Sequence, residues 1–349
     1  MKKTGKILVL LALSVLMLTA FAACGGDSGS DGGSSFLGGE DSVICPLDGQ
    51  TVESGENPGD YVLITSIDNG AASEPQSGIG KADLLVELPV EGGITRFMAF
   101  FYHSTPDTIG PIRSARHYFY DITTAYDGVM CHCGGSEQAY AIIRSGAVKD
   151  IDEMGCTSTF WRTEDRKAPH NLYTSYERLS EKAAEREYNK IAVSDCPSFN
   201  FMTDNDKDAL AYGGVAEFSV PYHYKEASYR WDEESQRYLR YSDGEPHMDA
   251  IDNTQVAADN VAVLYVSYSV MDDAGRLDMK IESGEGHLFM YGGVTKINWT
   301  LSEGTGFVFT DASTGEEMKL LPGKTVIQIA SPNQKAVYAV SSDTEEGDA

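Results

Sequence analysis

The segment Ile94-Thr-Arg-Phe-Met-Ala-Phe-Phe-Tyr102 is the clearest strand in the sequence, because its residues are almost all β-branched, aromatic or apolar. Three more segments share this composition and are bounded by Gly, Pro or Asn. They are Tyr61–Ile67, Ala82–Leu88 and Gly128–Cys133. These four segments predict a sheet in the first half of the chain.

Two helices are predicted among these strands. In the first, apolar residues recur at helical spacing and predict one buried face, formed by Ala115, Tyr118, Phe119, Ile122, Ala125 and Tyr126. The second begins at Thr174-Ser-Tyr-Glu177, which has the pattern of a capping box, and runs to about Tyr188. Strands mixed with helices predict an N-terminal α/β layered domain over residues 45–205.

From residue 206 to residue 335 the pattern is β-rich and contains no convincing helix. Tyr229–Trp231 and Arg237–Tyr241 flank a short polar segment and predict a hairpin, and Val261–Met271 is a long strand candidate. The predicted fold class is therefore α+β, with a mixed α/β domain followed by a β-rich C-terminal domain. Residues 336–349 form an acidic tail.

Residues 1–23 have the features of an export signal, with three lysines followed by an apolar run that is too short to span a membrane. The signal ends at Phe21-Ala22-Ala23-Cys24, which predicts lipid attachment at Cys24. Residues 24–44, rich in Gly, Ser and Asp, then form a flexible tether. The alternative is ordinary cleavage after Ala22, which would leave Cys24 as a free thiol. The predicted location is extracytoplasmic and membrane-anchored.

The formal net charge of the chain is −26. Removal of the signal takes away three lysines and leaves 24 basic against 53 acidic residues, or about −29. So acidic a surface excludes nucleic acid as a partner and excludes charge-driven docking on anionic lipid. The predicted membrane contact is therefore the lipid anchor alone.

Five cysteines follow the tether, and at most two disulfides can form among them. Cys131-His132-Cys133 suggests a zinc site, but in a strand the two sulfurs share one face and the imidazole points to the other. Two further ligands would have to come from elsewhere in the chain. We favour the interpretation that these are small residues in a core strand.

Basic residues cluster locally in this acidic chain. Arg96 lies in Glu91-Gly-Gly-Ile-Thr-Arg96, and Arg113 and Arg116 are predicted in the first turn of the first helix, where cations are unfavourable by about 0.3 to 1 kcal/mol. Their charge requires a negative partner. That partner is either a bound phosphate or carboxylate or an acidic side chain, for which Asp83, Glu87, Glu91 and Asp121 are candidates.

The predicted ligand-binding residues are the arginines and amides of these segments and of the basic segment 161–171. They are Arg96, Arg113, Arg116, Gln138, Arg162, Arg166 and Asn171. Ser136 precedes Gln138 and is interpreted as a helix N-cap. His170 and Asp121 are the candidate general acids or bases. No cofactor is predicted other than a divalent cation, which Asp83 or Glu87 would hold if the protein is an enzyme.

Several motifs in this order resemble the YerB-like family of bacterial lipoproteins: Pro75–Gly78, Ala82-Asp83, Glu91–Arg96, Ile109–Arg116, Gly134–Ala139, Phe160–Arg162, Arg166–Tyr173 and Pro322–Gln328. The resemblance covers about Cys45 to Ala330. It implies an α/β fold particular to the family and an envelope location, without a reaction. Cys131-His-Cys133 departs from the aliphatic or histidine residues typical of the family, which supports the core interpretation.

A second, looser pattern is similar to the envelope phosphotransferases of the LytR-CpsA-Psr type, which bind a lipid pyrophosphate through arginines and aspartates. The main functional expectation is a lipoprotein that binds an anionic envelope component, such as a cell-wall polymer or a lipid phosphate. The alternatives are a metal-dependent phosphotransferase or hydrolase, and a scaffold that docks a protein partner.

Overall fold

The computed structural model describes residues 43–52, 59–207, 210 and 212–341. The predicted export signal, Cys24, nearly all of the tether and most of the acidic tail lie outside these residues. Within the described part of the chain, no helix has the length and apolar character needed to cross a membrane.

The described residues form twenty-four strands and four α-helices. The strands of the first half are β1 (Val43–Ile44), β2 (Thr51–Val52), β3 (Leu63–Asp68), β4 (Leu84–Pro89), β5 (Thr95–Phe101), β6 (Val129–His132), β7 (Lys149–Asp152), β8 (Trp161–Arg162) and β9 (Leu172–Tyr173). The helices are α1 (Phe119–Ala125), α2 (Glu137–Arg144), α3 (Tyr176–Glu185) and α4 (Asp204–Lys207).

The strands of the second half are mostly joined by tight turns. They are β10 (Glu217–Pro221), β11 (Glu226–Asp232), β12 (Arg237–Ser242), β13 (Glu245–Pro246), β14 (Met248–Asp249), β15 (Thr254–Gln255), β16 (Ala257–Ala258), β17 (Asn260–Tyr265), β18 (Tyr268–Val270), β19 (Leu277–Met279), β20 (Ser283–Met290), β21 (Gly293–Ser302), β22 (Gly306–Asp311), β23 (Thr325–Ala330) and β24 (Val337–Tyr338).

One ten-stranded sheet joins the two halves of the chain, in the order β22-β21-β20-β17-β23-β4-β5-β3-β6-β7. β23 lies between β17 and β4 and is parallel to both of them. β4, β5 and β3 are antiparallel neighbours, and β3, β6 and β7 are parallel. The α+β class is confirmed, and the predicted α/β and β-rich segments share this sheet.

The central sheet is covered on both faces, so its strands carry apolar residues on both sides. Along β5, Met98 and Phe100 belong to one core cluster, which includes α1 and the β21–β22 hairpin. Phe97 and Phe101 belong to the other cluster, which includes α3 and strands of a second sheet. This alternation follows from the two-residue period of a strand.

The second sheet has six strands, in the order β13-β12-β11-β10-β24 with β16 also paired to β12. It packs on the central sheet through aromatic side chains. The rings of Phe218 on β10 and Phe289 on β20 are stacked, with centroids 3.7 Å apart. An antiparallel sheet that packs one face on a core typically alternates buried and solvated residues along each strand.

The four strands predicted in the first half are confirmed by β3, β4, β5 and β6, and the predicted hairpin by β11 and β12. Ser136 is an N-cap, since its side chain accepts a hydrogen bond from the backbone N–H of Ala139 at 3.1 Å. The second helix begins one residue later than a cap at Thr174 would place it, because Ser175 is its N-cap.

Two predicted elements are wrong in their bounds. The first helix begins at Phe119 and not near Arg113, because Ile112 and Ala115 form β-bridges to Ile67 and Gly135 that keep residues 112–115 extended. Arg113 and Arg116 therefore precede the helix and do not lie in its first turn. The long strand predicted at 261–271 is also divided, into β17 and β18, which pair with different strands.

The five cysteines in the described part of the chain are free thiols. Cys131 is fully buried in β6 and donates to the carbonyl of Val129, as a core residue does. His132 is also fully buried, and its Nδ1 lies 2.9 Å from the carbonyl oxygen of Gly134. These contacts support the core interpretation of the Cys131–Cys133 segment.

Candidate functional site

The candidate site lies where β3 ends and β5 begins. Asp68 is the last residue of β3 and is the register partner of Arg96, the second residue of β5. Asp68 is 1% exposed, and its Oδ1 accepts a hydrogen bond from the N–H of Gly70 at 3.0 Å. A carboxylate this deeply buried requires cationic or hydrogen-bonding partners.

Two basic side chains share the other oxygen of Asp68. The Nδ1 of His170 lies 2.6 Å from Asp68 Oδ2, and the Nε of Arg113 lies 2.9 Å from the same oxygen. The Arg113 contact is an ion pair without the alignment of a hydrogen bond. Both side chains are partly exposed, Arg113 by 21% and His170 by 27%. The buried carboxylate therefore holds one guanidinium and one imidazole that solvent can reach.

The guanidinium group of Arg113 has further donors that could bind a ligand. Its backbone is fixed to β3, since its N–H donates to the carbonyl of Ser66 at 2.8 Å. Its Nε pairs with Asp68, and its two terminal nitrogens have no hydrogen-bond partner among the residues that the structure describes. A guanidinium fork in this state can bind a planar or tetrahedral anion in bidentate fashion.

Glu91 binds the other two arginines of the cluster. Its Oε2 accepts a hydrogen bond from Arg116 Nε at 2.8 Å, and its Oε1 pairs with Arg116 Nη2 and lies 3.3 Å from Arg96 Nη2. Burial alone would raise the pKa of Glu91, but the guanidinium groups of Arg116 and Arg96 outweigh it and lower the pKa to about 2. Glu91 is therefore ionised throughout the physiological range.

Arg96 is the most buried of the three arginines and lies deepest in the cluster. Its Nη1 donates to the carbonyl of Ser114 at 2.7 Å. Burial, together with the nearby charge of Arg116, lowers the pKa of Arg96 to about 10. We name Arg96, Arg113, Arg116 and His170, with the carboxylates of Asp68 and Glu91, the arginine cluster. Its three guanidinium groups face two carboxylates, so it carries one surplus positive charge with His170 neutral.

The basic segment 161–171 packs beside the arginine cluster, and most of its polar contacts are structural. Arg166 donates through its two terminal nitrogens to the carbonyls of Ser73 and Pro75. Asn171 accepts from Arg162 Nη1 at 3.0 Å and donates to the carbonyl of Thr163 at 2.8 Å. These bonds shape the loop that presents His170.

Gln138 lies on α2, away from any hydrogen-bonded contact with the arginines in the described chain. Its Oε1 is buried without a hydrogen-bond partner there. The turn that leads into α2 runs beside the arginine segment, because Gly134 accepts from the N–H of Ala115 and Arg113 accepts from the N–H of Cys133. Gln138 stays a predicted ligand-binding residue.

Asp121 and Glu87 lie in other surroundings. Asp121, on α1, accepts from the N–H of Ile281 at 3.1 Å and lines a groove with His117, and burial raises its pKa. Both oxygens of Glu87 are engaged inside the protein, Oε1 by Asn69 and Thr95 and Oε2 by Arg240 at 2.5 Å. This arrangement leaves Glu87 no open oxygen for a cation.

Behind the arginine cluster, a buried polar network supports the loop that follows Asp68. Gln76 donates to the carbonyl of Asp68 at 3.0 Å and to the side chain of Asn69 at 3.1 Å, and its Oε1 lies 2.7 Å from His247 Nε2. His247 lies in the second half of the chain, so this network ties the loop to the β-rich segment.

Sequence reasoning named Glu91 as a possible partner of the arginines, and the structure confirms that pairing. It missed Asp68. The available signal was position, because Asp68 directly follows the apolar run that ends at Ile67, where a carboxylate at a strand end is a functional candidate.

Comparisons with known proteins give a consistent result. Residues 47–189 match the family model described as "Protein of unknown function (DUF3048) N-terminal domain", and residues 218–327 match the corresponding C-terminal domain. The chain is 34% identical over 266 residues to the protein named "Putative lipoprotein YerB" of Bacillus subtilis (strain 168), covering 75% of this chain and 79% of that protein.

The crystal structure of the YerB protein from Bacillus subtilis has the same fold. It superposes with a TM-score of 0.75 at 29% sequence identity, and the match covers 85% of this chain and 99% of the crystallised chain. The resemblance inferred from the motifs is confirmed by both comparisons.

Proposed function

The chain belongs to the DUF3048 family, and we propose that it is an extracytoplasmic lipoprotein that binds an anionic component of the cell envelope at the arginine cluster. The family description assigns no activity, so the proposal depends on the site itself. The observation that carries it is the sharing of the buried Asp68 carboxylate by Arg113 and His170, with no hydrogen-bond partner for the terminal nitrogens of Arg113 in the described part of the chain.

The location is supported by the leader sequence and by the relative. Residues 1–23 have the pattern of an export signal, Cys24 stands where a lipid would be attached, and the relative from Bacillus subtilis carries the name of a lipoprotein. Residues 24–44 would then act as a flexible leash between the lipid and the folded chain. An envelope ligand would be within reach of such a tethered protein.

The charge of the cluster favours an anion as its ligand. A chain of net charge −26 repels anions over most of its surface. The arginine cluster reverses that sign locally, since three arginines face two carboxylates. A hydrogen bond to a charged group contributes about 1.5 to 3 kcal/mol, so two bonds from the terminal nitrogens of Arg113 suffice for a specific site. A phosphate or carboxylate on a wall polymer or a lipid phosphate has the required chemistry.

One contact favours an enzymatic alternative. A histidine whose Nδ1 is held by a buried carboxylate has the orientation of a general base, because the carboxylate fixes the tautomer and leaves Nε2 as the reactive nitrogen. In that case His170 would move a proton during phosphoryl transfer or hydrolysis, with Asp68 as its positioning residue. Turnover of a polyprenyl pyrophosphate by the purified chain would favour this alternative over simple binding.

The test is a thermal-shift and calorimetric titration of the mature chain with phosphate, pyrophosphate, a polyprenyl phosphate and wall fragments. A ligand at one hundred times its Kd stabilises the folded state by about 2.7 kcal/mol, so a specific ligand shifts the Tm by several degrees. Arg113→Gln should abolish the shift. Arg144→Gln is the matched control, because Arg144 is an exposed arginine in an ion pair with the exposed Glu137.

A shift that is equal in Arg113→Gln and in the wild type would place the ligand elsewhere. If no ligand of this set shifts the Tm, the proposal of an anion site fails and a scaffold that docks a protein partner becomes the better account of the fold.

A further inference from the structure

Three residues with metal-binding side chains meet at the opposite end of β4 and β5 from the arginine cluster. They are Cys45, Asp83 and His103, and their donor atoms all lie within 4.8 Å of one another. Cys45 and Asp83 are buried, and His103 is partly exposed. The three donor types are a thiol sulfur, a carboxylate oxygen and an imidazole nitrogen.

The fold places these residues together from three separate segments. Asp83 directly precedes β4 and His103 lies two residues beyond β5, and because these strands are antiparallel, both ends meet at one edge of the sheet. Cys45 begins the turn between β1 and β2, where its N–H donates to the carbonyl of Gln50 and its carbonyl accepts from Gly49.

The Asp83 carboxylate is fixed by backbone hydrogen bonds to only one of its oxygens. Oδ2 accepts from the N–H of Tyr102 at 2.6 Å and from the N–H of His103 at 3.0 Å. Oδ1 is fully buried and has no hydrogen-bond partner in the described part of the chain. The orientation of the carboxylate is therefore set, with its second oxygen directed to the cluster.

His103 presents a second buried atom without a partner. Its Nδ1 lies 3.4 Å from Asp83 Oδ1, but the two atoms lack hydrogen-bond geometry, and neither has another hydrogen-bond partner among the described residues. A buried polar atom left without a partner costs about 1 to 3 kcal/mol. A cation between these two atoms would satisfy both of them at once.

The carboxylate of Asp48 faces the other ring nitrogen of His103, where metal-binding histidines usually have a hydrogen-bond acceptor. Its Oδ2 lies 3.7 Å from His103 Nε2. The backbone of Asp48 is held in place, since its carbonyl accepts from the N–H of Gly323 at 2.7 Å. At this distance the contact is an ion pair and not a hydrogen bond, and closing it on metal binding would fix the tautomer of the imidazole and strengthen it as a ligand.

We propose that Cys45, Asp83 and His103 bind a divalent cation of the zinc type, with Asp48 as the positioning residue for His103. Mixed sulfur, nitrogen and oxygen donors suit Zn²⁺, which is borderline in softness, and do not suit Mg²⁺ or Ca²⁺, which bind oxygen. Three protein ligands leave the fourth tetrahedral position open to water or to a ligand.

The cluster has a path to solvent. Asp48 and Asp83 line a cavity of about 400 Å³, together with Gly80, Ser104 and Lys324. The cavity therefore reaches the side of the cluster formed by Asp83 and its neighbour Asp48, and His103 is itself partly exposed. The site is independent of the arginine cluster, because the length of β4 and β5 separates the two by roughly 20 Å at about 3.4 Å per residue.

The experiment is a calorimetric titration of the mature chain with Zn²⁺, and an optical titration with Co²⁺. The protein used in both titrations carries Cys24→Ser, which removes the predicted site of lipid attachment and a thiol that could compete for the metal. We expect one equivalent of Zn²⁺ to bind and the Co²⁺ form to show thiolate-to-metal charge-transfer absorption. Cys45→Ser should remove that absorption and weaken Zn²⁺ binding by about tenfold or more.

Cys196→Ser is the matched control, because Cys196 is also a buried free thiol but is not in the cluster. It should keep both the absorption and the affinity. His103→Gln, at a partly exposed position, is a second variant with the same expected loss if Cys45→Ser does not fold. The proposal is overturned if no equivalent of Zn²⁺ binds, if the Co²⁺ form lacks thiolate absorption, or if the cluster variants bind as tightly as Cys196→Ser.

Discussion

Asp68 and His170 are 102 positions apart in the chain, yet the carboxylate of one lies 2.6 Å from the imidazole of the other. The contact joins the end of a central strand to a loop whose own shape depends on Asn171. Because Asp68 is 1% exposed, the carboxylate is a rigid part of the core, and His170 and Arg113 take their positions from it.

Asp68→Asn should therefore affect both function and stability. The amide keeps the size of the carboxylate but leaves Arg113 without its counter-ion, and we expect the free energy of unfolding to fall by about 1 to 3 kcal/mol. Urea denaturation measures the change. His170→Gln leaves the Asp68–Arg113 pair intact and should cost less. Equal losses in the two variants would show that Asp68 does not organise the site.

The pH dependence of stability should include a contribution from Glu91. Its folded-state pKa of about 2 lies below the ordinary value of 4.5, so its stabilising contribution is present above about pH 4.5 and is lost as the pH falls towards 2. Glu91→Gln should therefore flatten the decline of the urea midpoint between about pH 4.5 and pH 2. Glu137→Gln, an exposed acid in an ion pair with Arg144, should leave the decline unchanged.

A second pH effect is expected from His247 in the polar network. Burial, followed by the charges of Arg240 and Lys225, holds its pKa well below 6.5. The unfolded chain therefore takes up this proton first, and stability should decrease as the pH falls below about 6.5, by at most about 1.4 kcal/mol per pH unit. His247→Gln should reduce this slope. The exposed His223 is the control position, and the same reduction in His223→Gln would contradict the assignment.

The buried pair of Glu87 and Arg240 should show strong coupling. Their side chains are 1% and 0% exposed, so each single substitution leaves a buried charge without its partner. We expect Arg240→Met alone to cost about 3 to 5 kcal/mol, and Arg240→Met combined with Glu87→Gln to cost less than the sum of the single changes. A double-mutant cycle by urea denaturation measures this coupling, and additive losses would contradict it.

The sheet could be predicted from the sequence because its signal is local. The strands at 61–67 and 94–102 are apolar runs between turn residues, and Ser136 is a cap next to the helix it caps. The start of α1 could not be predicted, since the bridges that keep Ile112 and Ala115 extended are made to residues far along the chain.

The candidate site, like the fold, could be predicted only where its signal is local in the sequence. Arg113 and His170 were identifiable as basic residues in an acidic chain, but Asp68, which joins them, was missed because it has no local pattern beyond its position at the end of an apolar run. The cluster of Cys45, Asp83 and His103 was out of reach for the same reason. Only the pairing of β4 with β5 and the turn at Cys45 bring its members together.

The position of β23 has a consequence for biogenesis. This strand is made last among the long strands, yet it occupies the middle of the central sheet, between β17 and β4. A chain that emerges amino terminus first therefore holds β4 with one open edge until nearly the whole polypeptide has been delivered. Open edges invite aggregation, and pairing between distant segments is slow. A truncated copy that lacks residues 325–330 cannot close its sheet, so incomplete chains would be exposed to proteases.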